Sequence, residues 1–181
     1  MDKKLQIHQL DIRNKVYRAI WKFCWILFFR FTPRPFHPWR CFLLRLFGAR
    51  LGMGVHVYPS ARIWAPWNLE MGNHACLSEF VDCYSVEKIR IGHYSTVSQY
   101  SFLCTASHDY TKLSMPLIVA PILIGDYVWI AADVFVGPSI TIGDGTVINA
   151  RSTVLDNMSS WIVAKGNPAT QFKKRILEGG L

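Results

Sequence analysis

Residues 124–159 read IGDYVWIAADVFVGPSITIGDGTVINARSTVLDNMS, a stretch that divides into six blocks of six residues. An aliphatic residue opens every block: Ile124, Ile130, Val136, Ile142, Ile148 and Val154. A period of six matches neither an α-helix, whose period is 3.6 residues, nor an ordinary strand, whose period is two. It is typical of a β-helix, in which short strands separated by turns stack in parallel along an axis. The chain is therefore predicted to be all-β.

Position within each block predicts which side chains face inward. The fifth residue of one block and the first residue of the next are two apart, so they share one face of a short strand, and we expect that face to be buried. The second and third residues are expected to form the turn, as in Gly125-Asp126 and Gly143-Asp144. Glycine tolerates positive φ and aspartate bonds its own backbone in turns, so both suit these positions.

The repeat extends towards the N-terminus and is interrupted three times. Blocks begin at Leu51, and the register slips by two residues beyond Leu69 and again within residues 83–90. The largest interruption runs over residues 108–121. Insertions in a β-helix form loops at its corners, and loops on a rigid scaffold often carry functional groups. The long interruption is thus the first place to look for function.

These boundaries divide the chain into three parts. We predict an N-terminal helical arm at residues 1–50, a β-helix at residues 51–169 with a loop at residues 109–121, and a short basic C-terminal helix and tail at residues 170–181. A solenoid needs covers at its ends, which gives both flanking segments a role.

Charge is distributed unevenly along the chain. The formal net charge is +8, but residues 1–50 hold eleven Lys/Arg and two Asp, while the other 131 residues hold nine Lys/Arg and ten Asp/Glu. The basic character therefore belongs to the arm. The five cysteines show no CxxC motif or framework spacing, which predicts free thiols and a reducing compartment, here the cytoplasm.

The arm is predicted to contain two helices separated by a proline-rich connector. The first spans about residues 14–31 with Asn14 as its N-cap, and its middle, residues 23–29, is apolar on every side. The second spans about residues 39–47. Arg40 and Arg45 lie off its apolar face, which is formed by Trp39, Phe42, Leu43, Leu46 and Phe47.

Two roles for the arm remain open. The helices can cover the open end of the β-helix or a neighbouring subunit. Alternatively, residues 14–50 can lie on an anionic membrane, which would make the protein peripheral at the inner face of the plasma membrane. Seven consecutive apolar residues are too few to span a bilayer, which takes about 20, and the following TPRPF lacks a cleavage site for a signal peptide. Nucleic acid is not an expected partner, because the cations alternate with bulky apolar residues.

Three segments together resemble a known family. The repeat IGDYVWIAADVFVGPSITIGDGTVINARSTV, the element CTASHDYT and the turn VAKGNPA are similar to the hexapeptide-repeat acetyltransferases with a left-handed parallel β-helix. Within that family the chain resembles the exopolysaccharide O-acetyltransferases of the colanic-acid type and the maltose, galactoside and nodulation-factor acetyltransferases. The left-handed coil and a homotrimeric assembly are implications of this resemblance.

The resemblance also implies a chemistry and a site. The expected reaction transfers acetyl from acetyl-CoA to a hydroxyl of a sugar or oligosaccharide, free or lipid-linked, in surface-glycan biosynthesis, without a metal. His108 matches the family's catalytic histidine, and histidine suits a general base because its ordinary pKa lies near neutrality. Asp109 is adjacent and is expected to orient the imidazole, although a more distant carboxylate or a backbone carbonyl would serve equally.

The same resemblance implies which residues bind the two substrates, the sugar and acetyl-CoA. The sugar is expected near Asp82, Tyr84 and the 109–121 loop. The predicted coenzyme A contacts are Trp129, Ala131, Ala150, Thr153, Lys165 and Arg175. Small side chains permit close approach of the coenzyme, and the cations suit its phosphates.

Two functions other than acetyl transfer are alternatives for a chain with this fold. A non-catalytic scaffold that displays the arm is one alternative. A zinc hydratase of the γ-carbonic-anhydrase kind is another, but zinc needs several converging imidazoles, and the histidines here lack that spacing. His56, His74 and His93 fall at turn or outward positions and are expected to be exposed. His8 and His37 lie in the arm and are not expected to be catalytic.

Overall fold

The structure is a computed structural model that describes residues 6–7 and 11–178 of the chain. The helical elements are α1 (Ile12–Cys24), a π-helical turn (Trp25–Phe29), α2 (His37–Leu46) and a 3-10 turn (Pro66–Asn68). The strands are β1 (Gln6–Ile7), β2 (Arg50–Leu51), β3 (His56–Val57), β4 (Arg62–Ile63), β5 (Leu69–Met71), β6 (Cys76–Leu77), β7 (Asp82–Tyr84), β8 (Ile89–Ile91), β9 (Thr96–Val97), β10 (Phe102–Cys104), β11 (Ala106–His108), β12 (Leu117–Val119), β13 (Ile122–Ile124), β14 (Trp129–Ile130), β15 (Phe135–Val136), β16 (Thr141–Ile142), β17 (Val147–Ile148), β18 (Thr153–Val154), β19 (Ile162–Gly166) and β20 (Ala169–Lys174).

The body is a parallel β-helix of about six coils with three faces, as the repeat predicts. One sheet has the strand order β16-β13-β8-β5-β2, a second β18-β15-β10-β7-β4, and a third β20-β19-β17-β14-β9-β6-β3. The prediction of inward positions is confirmed, because the first and fifth residues of the blocks from Ile124 to Val154 are buried. Even the polar fifth residues, Thr146 and Ser152, are buried, and the Thr146 hydroxyl donates to the carbonyl of Ser159 at 2.6 Å.

The turns differ from the prediction by one position. In the first five blocks from Ile124 they fall on the third and fourth residues, and the fourth residue has positive φ, as at Tyr127 (56°) and Gly145 (65°). Gly125 at the second position is needed for space, because a Cβ there would collide with the Asp144 carboxylate and lie 2.9 Å from the Asp144 nitrogen. Asp144 does not bond its own turn; its Oδ1 accepts from Asp126 N–H of the preceding coil at 2.8 Å.

Backbone hydrogen bonds join neighbouring coils in both directions, and N–H groups at the corners donate back to the preceding coil. A strand N–H donates to a carbonyl of the following coil, as in His56 to Ala75 (2.9 Å) and Cys76 to Ser95 (2.9 Å). The first coil therefore has carbonyls without a preceding coil to satisfy them, and unpaired buried backbone groups are costly. This end of the β-helix needs hydrogen-bond donors.

Side chains of the arm supply those donors. Trp21 Nε1 donates to Ile63 O (2.6 Å), and Trp25 Nε1 donates to Ala61 O (2.9 Å). The guanidinium of Arg40 donates from Nε to Val57 O (2.6 Å). Trp and Arg carry donors and no acceptor, so they match these buried carbonyls of the first coil. In the structure α1 and α2 thus cover the first coil.

The second helix packs differently from its predicted face. Arg40, expected off the apolar face, is completely buried, while Trp39, Phe42 and Leu46 are exposed. The first helix begins at Ile12 rather than Asn14, and its N-cap is Asp11. Hydrophobic spacing alone predicts that the apolar face of α2 is buried. The carbonyls of the first coil need a hydrogen-bond donor, however, so the helix is rotated to bury Arg40.

The C-terminal segment is a strand, so the predicted basic helix at residues 170–178 is wrong. β20 pairs antiparallel with β19 and covers the outer edge of that sheet. Without β20, the edge strand β19 would leave backbone N–H and C=O groups unpaired. Pairing with β19 outweighs the helical propensity of the local sequence. The five cysteines are free, as predicted. None of the helices described has the length and hydropathy to traverse a bilayer.

Candidate active site

The long interruption forms a β-hairpin at a corner of the third coil. β11 pairs antiparallel with β12, which places His108 opposite Leu117, and β1 adds to the far side of β12. Part of the predicted 109–121 loop is therefore strand, and the connecting turn is stabilised by a bond from Asp109 N to Pro116 O (3.0 Å). A hairpin holds a side chain near its tip more firmly than an irregular loop does.

His108 is exposed at the end of β11, and its ring orientation is fixed by the hairpin. Nδ1 lies 2.7 Å from the backbone carbonyl of Met115. A carbonyl only accepts, so Nδ1 carries the proton and a neutral ring leaves a lone pair on Nε2. Met115 has a φ of 41°, a left-handed conformation that is unusual for a side chain of its size. Strained backbone of this kind is often found at functional sites.

Asp109 does not orient the imidazole in this structure. Its Oδ1 accepts from Thr111, through the backbone N–H at 3.1 Å and the hydroxyl at 2.5 Å. Its Oδ2 lies 3.3 Å from Lys112 Nζ. The Thr111 hydrogen bond is the main cause that lowers the pKa of Asp109 below its ordinary value. Of the orienting groups considered from the sequence, the backbone carbonyl is the one present.

Asp82 and Tyr84 line a cleft of about 580 Å³ between α1 and the first two coils. Burial raises the pKa of the Asp82 carboxyl, and the charge of Arg62 partly opposes that rise. The cleft is basic: Arg18, Lys22, Arg30 and Arg62 line it. Among the residues that the structure describes, these four cations form no ion pair within 4.0 Å.

Aromatic rings connect this cleft to the hairpin. Trp64 and Tyr84 pack edge to face at 5.6 Å between centroids, and the guanidinium of Arg18 lies 4.0 Å from the centre of the Trp64 ring. Trp64, Tyr84 and Leu117 also pack on the small cluster of Val86, Ala106 and Val119 at the base of the hairpin. Sequence reasoning missed Arg18, Arg62 and Trp64, because only the folded arm brings them beside Asp82.

Three of the predicted coenzyme A residues meet in one groove. Trp129, Ala131 and Ala150 line a depression of about 580 Å³ together with Ser98, Gln99, Ala132 and Asn149. It follows the corner between the sheets of β14 and β15, and Trp129 Nε1 donates to Ser98 Oγ at 3.0 Å. The exposed Arg151, whose Nε lies 3.6 Å from Asp133 Oδ2, lines an adjoining depression.

The other three predicted residues do not line this groove. Thr153 lies in β18 and pairs with Phe135. The ammonium of Lys165 lies 3.6 Å from the centre of the Phe172 ring. Arg175 Nη1 donates to the carbonyls of Tyr127 (2.9 Å) and Gly145 (2.8 Å) at a different corner.

Four other histidines, His37, His56, His74 and His93, have structural surroundings, and His8 lies outside the described residues. His56, His74 and His93 are exposed, as predicted. His56 stacks on His37 with 4.5 Å between centroids, and His74 stacks on Tyr94 at 5.0 Å. Within residues 6–7 and 11–178, no group of three or more His, Cys, Asp or Glu side chains is placed to hold a metal ion.

Comparison with known proteins defines the class. The profile of the family described as bacterial transferase hexapeptide (six repeats) matches residues 121–156. The chain belongs to the hexapeptide-repeat acetyltransferases. It is 41% identical over 163 residues to the putative colanic acid biosynthesis acetyltransferase WcaF of Escherichia coli (strain K12), and the match covers 90% of each protein.

Solved structures share this architecture. A maltose O-acetyltransferase from Clostridium difficile 630 superposes with a TM-score of 0.84 at 28% identity, covering 92% of this chain and 90% of that one. A galactoside acetyltransferase in complex with coenzyme A superposes with a TM-score of 0.81 at 21% identity, covering 95% of this chain and 86% of that one. The second likeness extends to the fold alone.

Proposed function

We propose that this protein is an acetyl-CoA-dependent O-acetyltransferase that acts on a sugar hydroxyl in surface-glycan biosynthesis, with His108 as the general base. The observation that carries this proposal is the 2.7 Å contact between His108 Nδ1 and Met115 O. It leaves Nε2 free to accept a proton while the ring stays oriented. The relation to WcaF, which is described as a colanic acid biosynthesis acetyltransferase, supports a glycan acceptor.

The reaction follows from these groups. His108 Nε2 takes the proton of the acceptor hydroxyl as its oxygen attacks the thioester carbonyl, and a tetrahedral oxyanion forms. The intermediate collapses, the C–S bond breaks, and the imidazolium returns the proton to the leaving thiolate. The products are an acetyl ester and coenzyme A. A general base of this kind contributes about 10²–10⁴-fold to the rate.

The alanine-lined groove suits the thioester carrier. Ala131 and Ala150 leave its floor close to the backbone, and Trp129 forms one wall. The arm of coenzyme A is a long, thin chain with amide groups, which needs close access to backbone donors and acceptors. We assign this groove to acetyl-CoA, and of the cations predicted for its phosphates, neither Lys165 nor Arg175 lines it.

The basic cleft suits the acceptor. Asp82 and Tyr84 offer hydrogen-bonding groups, and the half-buried Trp25 and Trp64 offer apolar ring surface for a sugar. The four cations around the cleft favour an acceptor that carries negative charge, such as a sugar linked to a lipid through phosphate. The acceptor cleft and the hairpin share the Trp64–Tyr84 cluster, which supports their use in one reaction.

A homotrimer fits the arrangement of these parts. The hairpin leaves the β-helix at one corner, and the alanine-lined groove follows another corner. Packing of neighbouring coils about an axis would bring the groove of one subunit to the hairpin of the next, so the site would be completed by assembly. Sedimentation equilibrium tests this point, and full activity in a monomer contradicts it.

Thiol release from acetyl-CoA tests the proposed activity. The purified protein is assayed with a panel of neutral sugars, nucleotide sugars and extracts of lipid-linked glycan intermediates. We expect release that depends on a glycan acceptor, with acetyl ester recovered on the sugar. His108→Ala should lose this release, whereas Ser107→Ala, a change of the adjacent exposed side chain, should retain it. Equal release by both variants contradicts the assignment of His108, and binding of acetyl-CoA without transfer to any acceptor favours a scaffold.

A further inference from the structure

The outer face of the arm carries a continuous apolar stripe. Along α1 and the π-helical turn, exposed apolar side chains recur every three or four residues, at Ile12, Val16, Ile20, Phe23, Leu27 and Phe31. Ile12 is 75% exposed, Phe23 64% and Phe31 76%. The exposed side chains of α2, Trp39, Phe42 and Leu46, add to this surface. We name these nine residues the outer stripe.

The two helices meet on this outer side. Trp39 Nε1 donates to Phe28 O at 2.9 Å, and the Trp39 and Phe42 rings stack at 5.7 Å. The outer stripe is therefore one surface shared by α1 and α2. Soluble monomers rarely expose so large a contiguous apolar area unless it binds something.

Covering the β-helix does not require the outer stripe. The contacts with the first coil are made by the opposite side of the helices, through Trp21, Trp25 and Arg40. Phe29 and Leu44 are buried on that same inner side. The arm thus has an occupied face and a free face, so its two predicted roles are compatible.

Positive charge accompanies the outer stripe. Residues 11–50 contain nine Lys/Arg and one carboxylate, Asp11. Besides the buried Arg40, six of these cations make no ion pair within the described part of the chain: Arg13, Lys15, Arg18, Lys22, Arg30 and Arg45. Apolar side chains flanked by Lys and Arg are typical of a helix that lies in the interface of an anionic bilayer.

We propose that the outer stripe lies on the surface of an anionic lipid bilayer, with the apolar side chains in the interface and the flanking cations among the lipid headgroups. The charge complementarity selects a membrane over a second copy of this chain, because two copies would bring two basic surfaces together. Trp39 suits this position, since tryptophan favours the boundary between headgroups and acyl chains.

The proposed orientation also positions the basic cleft. Arg18, Lys22 and Trp25 lie on the side of α1 that lines the cleft, beside the outer stripe. A bilayer held against the stripe would therefore border the mouth of the cleft. This inference stands independently of the reaction assigned to His108.

Flotation with lipid vesicles tests the proposal on the full chain. Wild type is mixed with vesicles of phosphatidylcholine alone or with about one-third phosphatidylglycerol. We expect flotation with the anionic vesicles that weakens as NaCl rises from about 0.05 M to about 0.3 M. The triple variant Ile20→Gln/Phe23→Gln/Leu27→Gln should bind roughly tenfold or more weakly, since three apolar side chains leave the interface. Arg13→Gln/Lys15→Gln should also bind roughly tenfold more weakly to anionic vesicles.

A matched control changes three exposed apolar residues outside the arm, Met53→Gln/Leu123→Gln/Ile176→Gln, and should float like wild type. Thermal unfolding and thiol release report on the fold and the activity of each variant, and neither should change in the stripe variant with soluble acceptor. Equal flotation of the stripe variant and wild type overturns the proposal. So does a wild type that binds neutral vesicles equally at all salt concentrations, or one that binds no vesicles but forms oligomers that the stripe variant loses.

Discussion

Arg40 and His108 both donate a hydrogen bond from a side-chain nitrogen to a backbone carbonyl, in opposite environments. Arg40 is buried against the first coil and donates from Nε to Val57 O at 2.6 Å, and its Nη1 donates to Thr32 Oγ1 (2.7 Å) and Pro33 O (2.9 Å). His108 is exposed on a hairpin and makes one such bond, to Met115 O at 2.7 Å.

The difference between the two sites lies in what each bond controls. The Arg40 guanidinium is itself completely buried and makes several hydrogen bonds, so these bonds determine whether the arm stays on the β-helix. At His108, the bond costs little to break, but it determines which ring nitrogen can accept a proton. We therefore expect stability and activity to respond separately when the two residues are changed.

Replacing His108 with alanine should have the largest effect, on catalysis. We expect the rate of acetyl transfer to fall by about 10²–10⁴-fold, because no general base remains. The free energy of unfolding should change by less than about 1 kcal/mol, since the side chain is exposed and makes one hydrogen bond. Steady-state thiol release and thermal unfolding measure the two quantities.

Asp109→Asn is the matched control for the hairpin. The carboxylate bonds Thr111 and Lys112 rather than the imidazole, so transfer should stay within about threefold of wild type, as for loss of an exposed ion pair. A loss comparable to that of His108→Ala would show that Asp109 orients the ring during the reaction.

Arg40→Met should have the largest effect on stability. The change removes the bonds that a completely buried guanidinium makes to Val57 O, Pro33 O and Thr32 Oγ1, so unfolding should require about 3–5 kcal/mol less free energy. The melting temperature should fall by about 10 °C. At temperatures where the variant is folded, its kcat should match that of wild type.

The control for this variant is Arg34→Met, which removes an exposed cation paired with Glu79. Its stability should stay within about 1 kcal/mol of wild type. If Arg40→Met unfolds like Arg34→Met, the buried bonds do not hold the arm in place.

Tryptophan substitutions compare the inner and outer faces of the arm, with smaller expected losses in the free energy of unfolding than Arg40→Met. Trp21→Phe removes the donor to Ile63 O in a buried position and should destabilise by about 1–3 kcal/mol. Trp39→Phe removes an exposed donor to Phe28 O and should cost less than about 1 kcal/mol. Chemical denaturation of both variants measures the difference. Equal losses would contradict the claim that carbonyls of the first coil depend on donors from the arm.

Asp82→Asn should give the smallest effect, and it depends on pH. Burial raises the folded pKa of Asp82, so the stability this group contributes is complete below its unfolded pKa and is lost as pH rises through the folded pKa. At neutral pH the asparagine variant should gain less than about 1 kcal/mol over wild type, after allowance for solvent screening. The gain should vanish at pH values below the ordinary pKa of aspartate, about 3.9. Denaturation curves at both pH values measure it.

The repeat made the body of this protein predictable. The buried positions from Ile124 to Val154 follow from a period that only stacked coils can satisfy. The break in the repeat and the family resemblance single out His108 from the sequence, and its catalytic role stays a prediction. The cleft around Asp82 was less predictable, since residues far apart in the chain meet there only after the arm has folded.

The two wrong predictions, the buried face of α2 and the C-terminal helix, share a physical cause. Arg40 was placed on the wrong face, and residues 170–178 were predicted as a helix, because local patterns do not reveal the open ends of a solenoid. At the first coil the missing groups are donors, and at β19 the missing partner is a whole strand. A signal for the first case was present, since Trp21, Trp25 and Arg40 are all side chains that donate and cannot accept.

The parallel stacking of the coils gives the β-helix two unlike ends, as in a polar polymer. Strand N–H groups such as His56 and Cys76 donate to carbonyls of the following coil, so the first and last coils expose different backbone groups. The exposed first coil of one molecule would therefore match the last coil of another, and uncovered molecules could join head to tail into a filament. The arm and β20 act as chain terminators in this sense, and they restrict a structure that could grow without limit to about six coils.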